Sequence, residues 1–187
     1  FAEDVGNFSR LVHELQKERG TSSVVLSSKG AQMRTELDTQ RKVSDAKRAA
    51  AQQSLARLSE SAEGDLKAVV GKAARTLADL DAKRGDIDAL TIAPPASIAY
   101  FSQTIAALID VASAIGTATV DSDVSTAIAA YVSFVQGKER AGQERAQAAG
   151  GLAAGRFELP VYRAALSLDA AQQAYFTTFL SLATEPQ

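Results

Sequence analysis

Proline is scarce in this chain, and that constrains its fold more than any other feature. Only four prolines occur in 187 residues: Pro94 and Pro95 side by side, Pro160, and Pro186. Proline breaks a helix interior by removing an N–H and clashing with the preceding turn, so the long stretches between these positions can be helical throughout. Alanine fills about one position in five, and Leu, Glu, Gln, Lys and Arg fill most of the others; these are the strongest helix formers. Apolar residues recur at steps of three and four, without sustained alternation of β-branched and aromatic residues. The fold class is therefore all-α.

Local punctuation sets the expected boundaries. A first helix spans residues 3–28 and stops at Lys29-Gly30, where glycine can take the positive φ that ends a helix. A second spans 31–58, and a turn or kink from Ser59 to Gly64 leads into a third that continues to Lys83. Residues 84–95 read as the one clear loop, since Gly85 closes the helix and Pro94-Pro95 delays the next. A fourth helix covers 96–115, and a turn follows with Asp121 or Ser122 as N-cap. A fifth covers 123–149, and a sixth starts near Pro160 and ends near Ala183. Gly150, Gly151 and Gly155 read as a bend; no strand precedes them, so they do not form a phosphate loop. Helices of about 20 to 28 residues would be about 30 to 40 Å long, and short connections make neighbours antiparallel. The expected architecture is an elongated antiparallel up-and-down helical bundle of about six long helices, a single domain over residues 1–187.

Composition narrows the chemistry. A formal net charge of −2 and a pI near 5.5 argue against a nucleic-acid-binding surface. There is no cysteine and one histidine, His13, which rules out a Cys/His zinc site and a cysteine nucleophile. No carboxylate pair stands out as an acid and base of separated pKa. An enzyme is the least expected class, and no metal or cofactor is expected. The most apolar window, Ile98 to Ile115, contains Gln103 and Asp110 and reads as a core helix and not a membrane span. The chain begins at Phe1, so a piece of a longer protein is expected. An even number of long helices returns the chain to its starting end, which suits a domain held between two membrane spans.

Charge breaks the amphipathic pattern in two places. The inner stripe of the first helix reads Val12, Leu15, Arg19, Ser22, Leu26. That of the fifth reads Tyr131, Val135, Lys138, Gly142, Arg145, Ala149, Leu152. A core-facing stripe normally excludes charge, and an uncompensated buried guanidinium costs several kcal/mol. The plainer reading pairs each arginine with Glu14, Glu18, Glu139 or Glu144. The sharper reading has Arg19 and Arg145 converging on a small planar anion, which suits the guanidinium fork. Gly142 would then leave room, Lys138 would add charge, and one of the hydroxyls of Thr21, Ser22 and Ser23, one turn beyond Arg19, would donate a hydrogen bond. Arg41 lies near the inner edge of the second helix as a further basic candidate, whereas Lys42, Lys47, Arg48 and Arg57, with Asp38 and Asp45, read as its solvated face. His13 reads as a partly exposed helix residue; Tyr100, Tyr131 and Phe134 read as core.

The segments Leu15-Gln16-Lys17-Glu18-Arg19-Gly20 and Lys138-Glu139-Arg140-Ala141-Gly142-Gln143-Glu144-Arg145-Ala146 resemble two signatures of the NIT family, the nitrate- and nitrite-sensing domain of bacterial receptors. Leu37 to Ala46 looks like the family's second-helix segment, Tyr100 with Ile105, Leu108 and Ile109 like its mid-domain helix, and Phe157, Tyr162, Gln173, Phe176 and Phe179 like its closing helix. The resemblance implies an all-α domain in which one arginine from each signature binds the anion. Carried over by motif, these are Arg19 and Arg145, with Arg140 the alternative in the second signature. It implies the non-enzymatic sensor domain of a transmembrane receptor, such as a methyl-accepting chemotaxis protein or a histidine kinase. Such a domain would be periplasmic, flanked by membrane spans, homodimeric, bound to nitrate, nitrite or a similar small inorganic anion, and would itself bind no nucleic acid. Two alternatives stand beside it: a structural or partner-binding bundle with internal Arg–Glu pairs, and the input domain of a cytosolic RNA-binding antiterminator.

Overall fold

A computed structural model describes residues 1–153 and 159–184, with backbone alone for 146–153 and 161. Among the described residues there are seven helices and no strand, in agreement with the expected all-α class. They are α1 (Ala2–Ser27), α2 (Arg34–Ser61), α3 (Gly64–Ala78), α4 (Leu80–Asp88), α5 (Pro94–Ala118), α6 (Ser122–Ala153) and α7 (Leu159–Leu182). The sequence reads as one domain; the chain's contacts group it into two compact units, Phe1–Ala118 and Thr119–Gln187.

In the first unit α1 packs against α2 and α5, and α3 packs against α5 and α2. Hydrogen bonds joining Asn7 to Ser54 and Glu14 to Gln40 run α1 and α2 antiparallel. Phe8, Leu11 and Leu15 of α1, Leu37 and Leu55 of α2, Val70 and Leu77 of α3, and Phe101, Ile105 and Leu108 of α5 form the core. The apolar α5 is long enough to cross a membrane by composition, yet Phe101, Ile105, Leu108 and Ile115 are fully buried, as a core helix requires. Between α1 and α2 the chain reverses as expected at Lys29 and Gly30, with φ of 52° and 81°, and the Gly30 amide donates to the Val25 carbonyl at 2.7 Å.

The expected third helix is divided at Asp79, and the expected loop from Arg84 is helical as far as Asp88. Glycine in a helix costs only about 1 kcal/mol relative to alanine. Here it is outweighed by burial of Leu80 and Ile87 and by the ion pairs of Arg84. Gly85 has no positive φ, and a Cβ added there would meet open space. Gly85→Ala is accordingly expected to raise stability by about 0.5–1 kcal/mol; a lower midpoint in urea would show that this turn is not helical in solution.

The second unit is an antiparallel helix pair. Asp121 caps α6, its Oδ1 accepting from the amides of Asp123 and Val124 at 2.9 and 3.1 Å. Phe134 of α6 packs its ring between those of Phe176 and Phe179 of α7, centroids 6.2 and 5.4 Å apart, and keeps one side exposed. A Cβ at Gly137 would lie 2.7 Å from the Phe176 ring, so only glycine lets α6 and α7 approach this closely. The helix runs through Gly150 and Gly151 to Ala153 without the expected bend; Gly155, Arg156 and Phe157 lie outside the described residues.

Candidate functional site

The polar heart of the first unit begins with two consecutive residues of α1. Glu18 is 0% exposed and Arg19 is 7% exposed. Glu18 receives a bidentate grip from Arg84 of α4: Nε donates to Oε1 at 2.7 Å and Nη2 to Oε2 at 2.9 Å. Arg84 Nη1 donates to Asp45 of α2 at 2.6 Å and stands 3.6 Å from Asp81. Burial alone would depress the Arg84 pKa, but the carboxylates of Glu18 and Asp45 outweigh it and raise the value, so the guanidinium stays charged.

A ladder extends from this centre. Arg48 donates to Asp81 at 2.7 Å, and Arg41 donates to both oxygens of Asp88 at 2.8 and 2.9 Å while its Nε lies 3.8 Å from Glu18. Burial raises the Asp81 pKa less than the hydrogen bond and charge of Arg48 lower it, and the net shift is downward. Positions 41, 45 and 48 form one face of α2, and 81, 84 and 88 one face of α4, meeting in antiparallel register. The expected solvated face of α2 is thus partly occupied: Arg48 is engaged by α4, and Arg57 donates to Asp4 of α1 at 2.8 Å.

Arg19 faces a different neighbour. Its Nη1 donates to the Ser102 hydroxyl of α5 at 2.7 Å. One turn beyond it, Ser22 is fully buried and its hydroxyl has no hydrogen-bond partner among the described residues. A serine in a helix ordinarily satisfies its hydroxyl on the carbonyl four residues back, and an orphaned buried hydroxyl costs about 1–3 kcal/mol. Ser22 therefore holds an unused donor beside a buried cation. At the α3–α5 junction Tyr100 of α5 donates to the Thr76 carbonyl of α3 at 2.7 Å, and burial pushes its pKa up to about 12.

The remaining candidates belong to the second unit. Lys138, Arg140 and Gly142 are half-buried on α6 and Arg145 is exposed. The buried residues of α6 include Ile128, Ala130, Ser133, Val135 and Glu139; of the stripe drawn through Arg145, Val135 is buried, Tyr131, Lys138 and Gly142 are half-buried, and Arg145 itself is outside the buried face. The close approach of Gly137 to Phe176 sets which face α6 turns to α7. Arg140 lies over the Tyr175 ring, 6.0 Å from its centroid, and donates to Gln143, which donates to Glu139. The structure thus brings Arg19 and Ser22 together on α1, with Ser102 opposite. His13 is exposed, as expected. Sequence reasoning missed Ser102 and Arg84, the first because it lies on an otherwise apolar helix and the second because it was read as loop.

The described residues form an all-α scaffold with charged and hydroxyl groups gathered on its inner helix faces, the class of helical-bundle domain with a polar interior. The chain belongs to the NIT family, whose sequence model, described as nitrate and nitrite sensing, matches residues 10–187. It is 31% identical over 182 residues to the nitrate regulatory protein of Klebsiella oxytoca, a match covering 97% of this chain and 46% of that protein. It is similar to the solved structure of the NasR transcription antiterminator, with a TM-score of 0.93 and 30% identity over 98% of this chain and 50% of that one. The chain spans about half the length of each of these relatives.

Proposed function

We propose that this chain is the nitrate- or nitrite-responsive input domain of a transcription antiterminator, acting in the cytoplasm. One relative is named a nitrate regulatory protein and the other a transcription antiterminator, which supports this reading over the membrane-flanked chemoreceptor expected from sequence. The observation that carries the anion reading is the Ser22 hydroxyl, buried and without a hydrogen-bond partner among the described residues, one turn from the buried Arg19. A cationic fork and a neutral donor on one helix face suit a small planar oxyanion. By motif, Arg145, or Arg140 in its place, supplies the second arginine. Homodimerisation remains part of this reading, and RNA contacts are assigned to output segments and not to this acidic domain.

A magnitude bounds the binding. Small ligands gain at most about 1.5 kcal/mol per heavy atom, so a four-atom ion reaches about 6 kcal/mol, a Kd of order tens of micromolar. Thermal denaturation with nitrate, nitrite, chloride and sulfate tests the proposal. Nitrate or nitrite should raise the melting temperature progressively as concentration passes the Kd. Equal shifts with all four ions, or none, would remove the anion-sensing reading.

A further inference from the structure

We infer that Arg84 of α4 is a positioning residue for the anion site: by gripping Glu18 it fixes how α1 is turned, and with that the place of Arg19. The inference rests on the anion reading of Arg19.

A buried apolar stripe normally sets which way a helix faces its neighbours. In α1 that stripe is interrupted. Phe8, Leu11 and Leu15 come before the gap and Val25 and Leu26 after it, but between Leu15 and Val25 the buried positions are Glu18, Arg19 and Ser22. Ser22 makes no hydrogen bond through its hydroxyl among the described residues. The Glu18–Arg84 contact, by contrast, is built to hold an angle. Its two hydrogen bonds, 2.7 and 2.9 Å long, join a planar fork to a planar carboxylate.

The grip is anchored at its far end as well. Arg84 donates to Asp45 of α2 at 2.6 Å, and α4 is tied to α2 on either side of that contact, by Arg48 to Asp81 and by Arg41 to Asp88. Positions 41, 45 and 48 carry plus, minus and plus, and their partners 88, 84 and 81 carry minus, plus and minus. A slip of α4 by one turn would set like charges opposite each other, which repel. Arg84 is thus fixed along α2 before it meets Glu18.

Arg19, the next residue along α1, reaches Ser102 of α5. A helix with its side chains is about 10–12 Å across, so a turn of about 10° carries a side-chain tip through roughly 1 Å. Binding groups need to be held to about 0.5 Å. Loosening Glu18 therefore weakens binding at Arg19 without any contact to the ion.

The test is calorimetric titration with nitrate and nitrite, together with a urea midpoint, for the full chain, for Arg84→Lys, and for Glu18→Leu combined with Arg84→Met. The double variant packs an apolar pair in place of the grip. It should keep close to the parental midpoint and bind at least about tenfold more weakly. Arg84→Lys keeps the charge but not the fork, and should bind about threefold or more weaker. Parental affinity in both variants would overturn the positioning role and leave the anion reading in place. Affinity losses found only in variants whose midpoint also falls would overturn it too, because the pair would then serve stability alone. If the parent responds to neither ion, both readings fall together.

Discussion

Glu18→Ala lowers the stability of the first unit by about 3–5 kcal/mol, the cost expected when one partner is removed from a buried ion pair. Glu18 is completely enclosed and holds Arg84 through two hydrogen bonds. Without it, Arg84 retains Asp45, whose side chain is 51% exposed, and Asp81 at 3.6 Å. The remaining guanidinium must then be desolvated for two largely exposed carboxylates, and Arg41 loses its nearest buried negative charge as well. Replacing both partners with apolar residues of similar size, Glu18→Leu with Arg84→Met, should recover most of the loss, since a well-packed apolar pair avoids the desolvation. Urea titration of the parent, both single variants and the double variant gives the coupling directly. A Glu18→Ala cost below about 1 kcal/mol would mean that water reaches this cluster and that surface ion-pair magnitudes apply.

The second large effect is on ligand binding. Arg19→Ala is expected to abolish the response to nitrate and nitrite at millimolar concentrations while leaving the helical circular dichroism intact. A site limited to tens of micromolar has little to spare: losing about 3 kcal/mol, the upper range for a hydrogen bond to a charged group, moves its Kd into the millimolar range. Arg19→Lys keeps the charge and loses the planar fork, so it should bind at least tenfold more weakly. Arg145→Ala and Arg140→Ala in the same titration decide which arginine of the second signature contributes. Parental binding by Arg19→Ala would end the assignment of the site to α1.

Helical class and most boundaries were legible because they depend on local terms: proline positions, alanine content, Gly30 and the Asp121 cap. The inward position of Arg19 and Ser22 was legible from their phase with Leu15 and Leu26. What escaped was set by partners distant in sequence. Gly85 looked like a helix end because propensity does not include Ile87 burying itself or Arg84 reaching a carboxylate 66 residues earlier. The spacings 41, 45, 48 and 81, 84, 88 carried a signal for the ladder, but recognising it required α4 to be seen as helix first. The plainer reading of internal Arg–Glu pairs describes real chemistry here, on Arg84, a residue that the loop assignment places outside any helix. The α6 stripe drawn from Tyr131 is buried at Val135 and half-buried at Tyr131, Lys138 and Gly142, but Arg145 is exposed, and the stripe gives no sign that Gly137 admits the Phe176 ring.

Glu18 and Arg19 are adjacent, opposite in charge, and fastened to different surroundings. Successive helix positions point about 100° apart, so one backbone segment addresses two neighbouring surfaces together. Any turn of α1 about its axis that draws one of these anchors closer drags the other away. Under the proposed anion reading, a guest held at Arg19 would therefore be felt at Arg84 through any rotation of α1 about its axis.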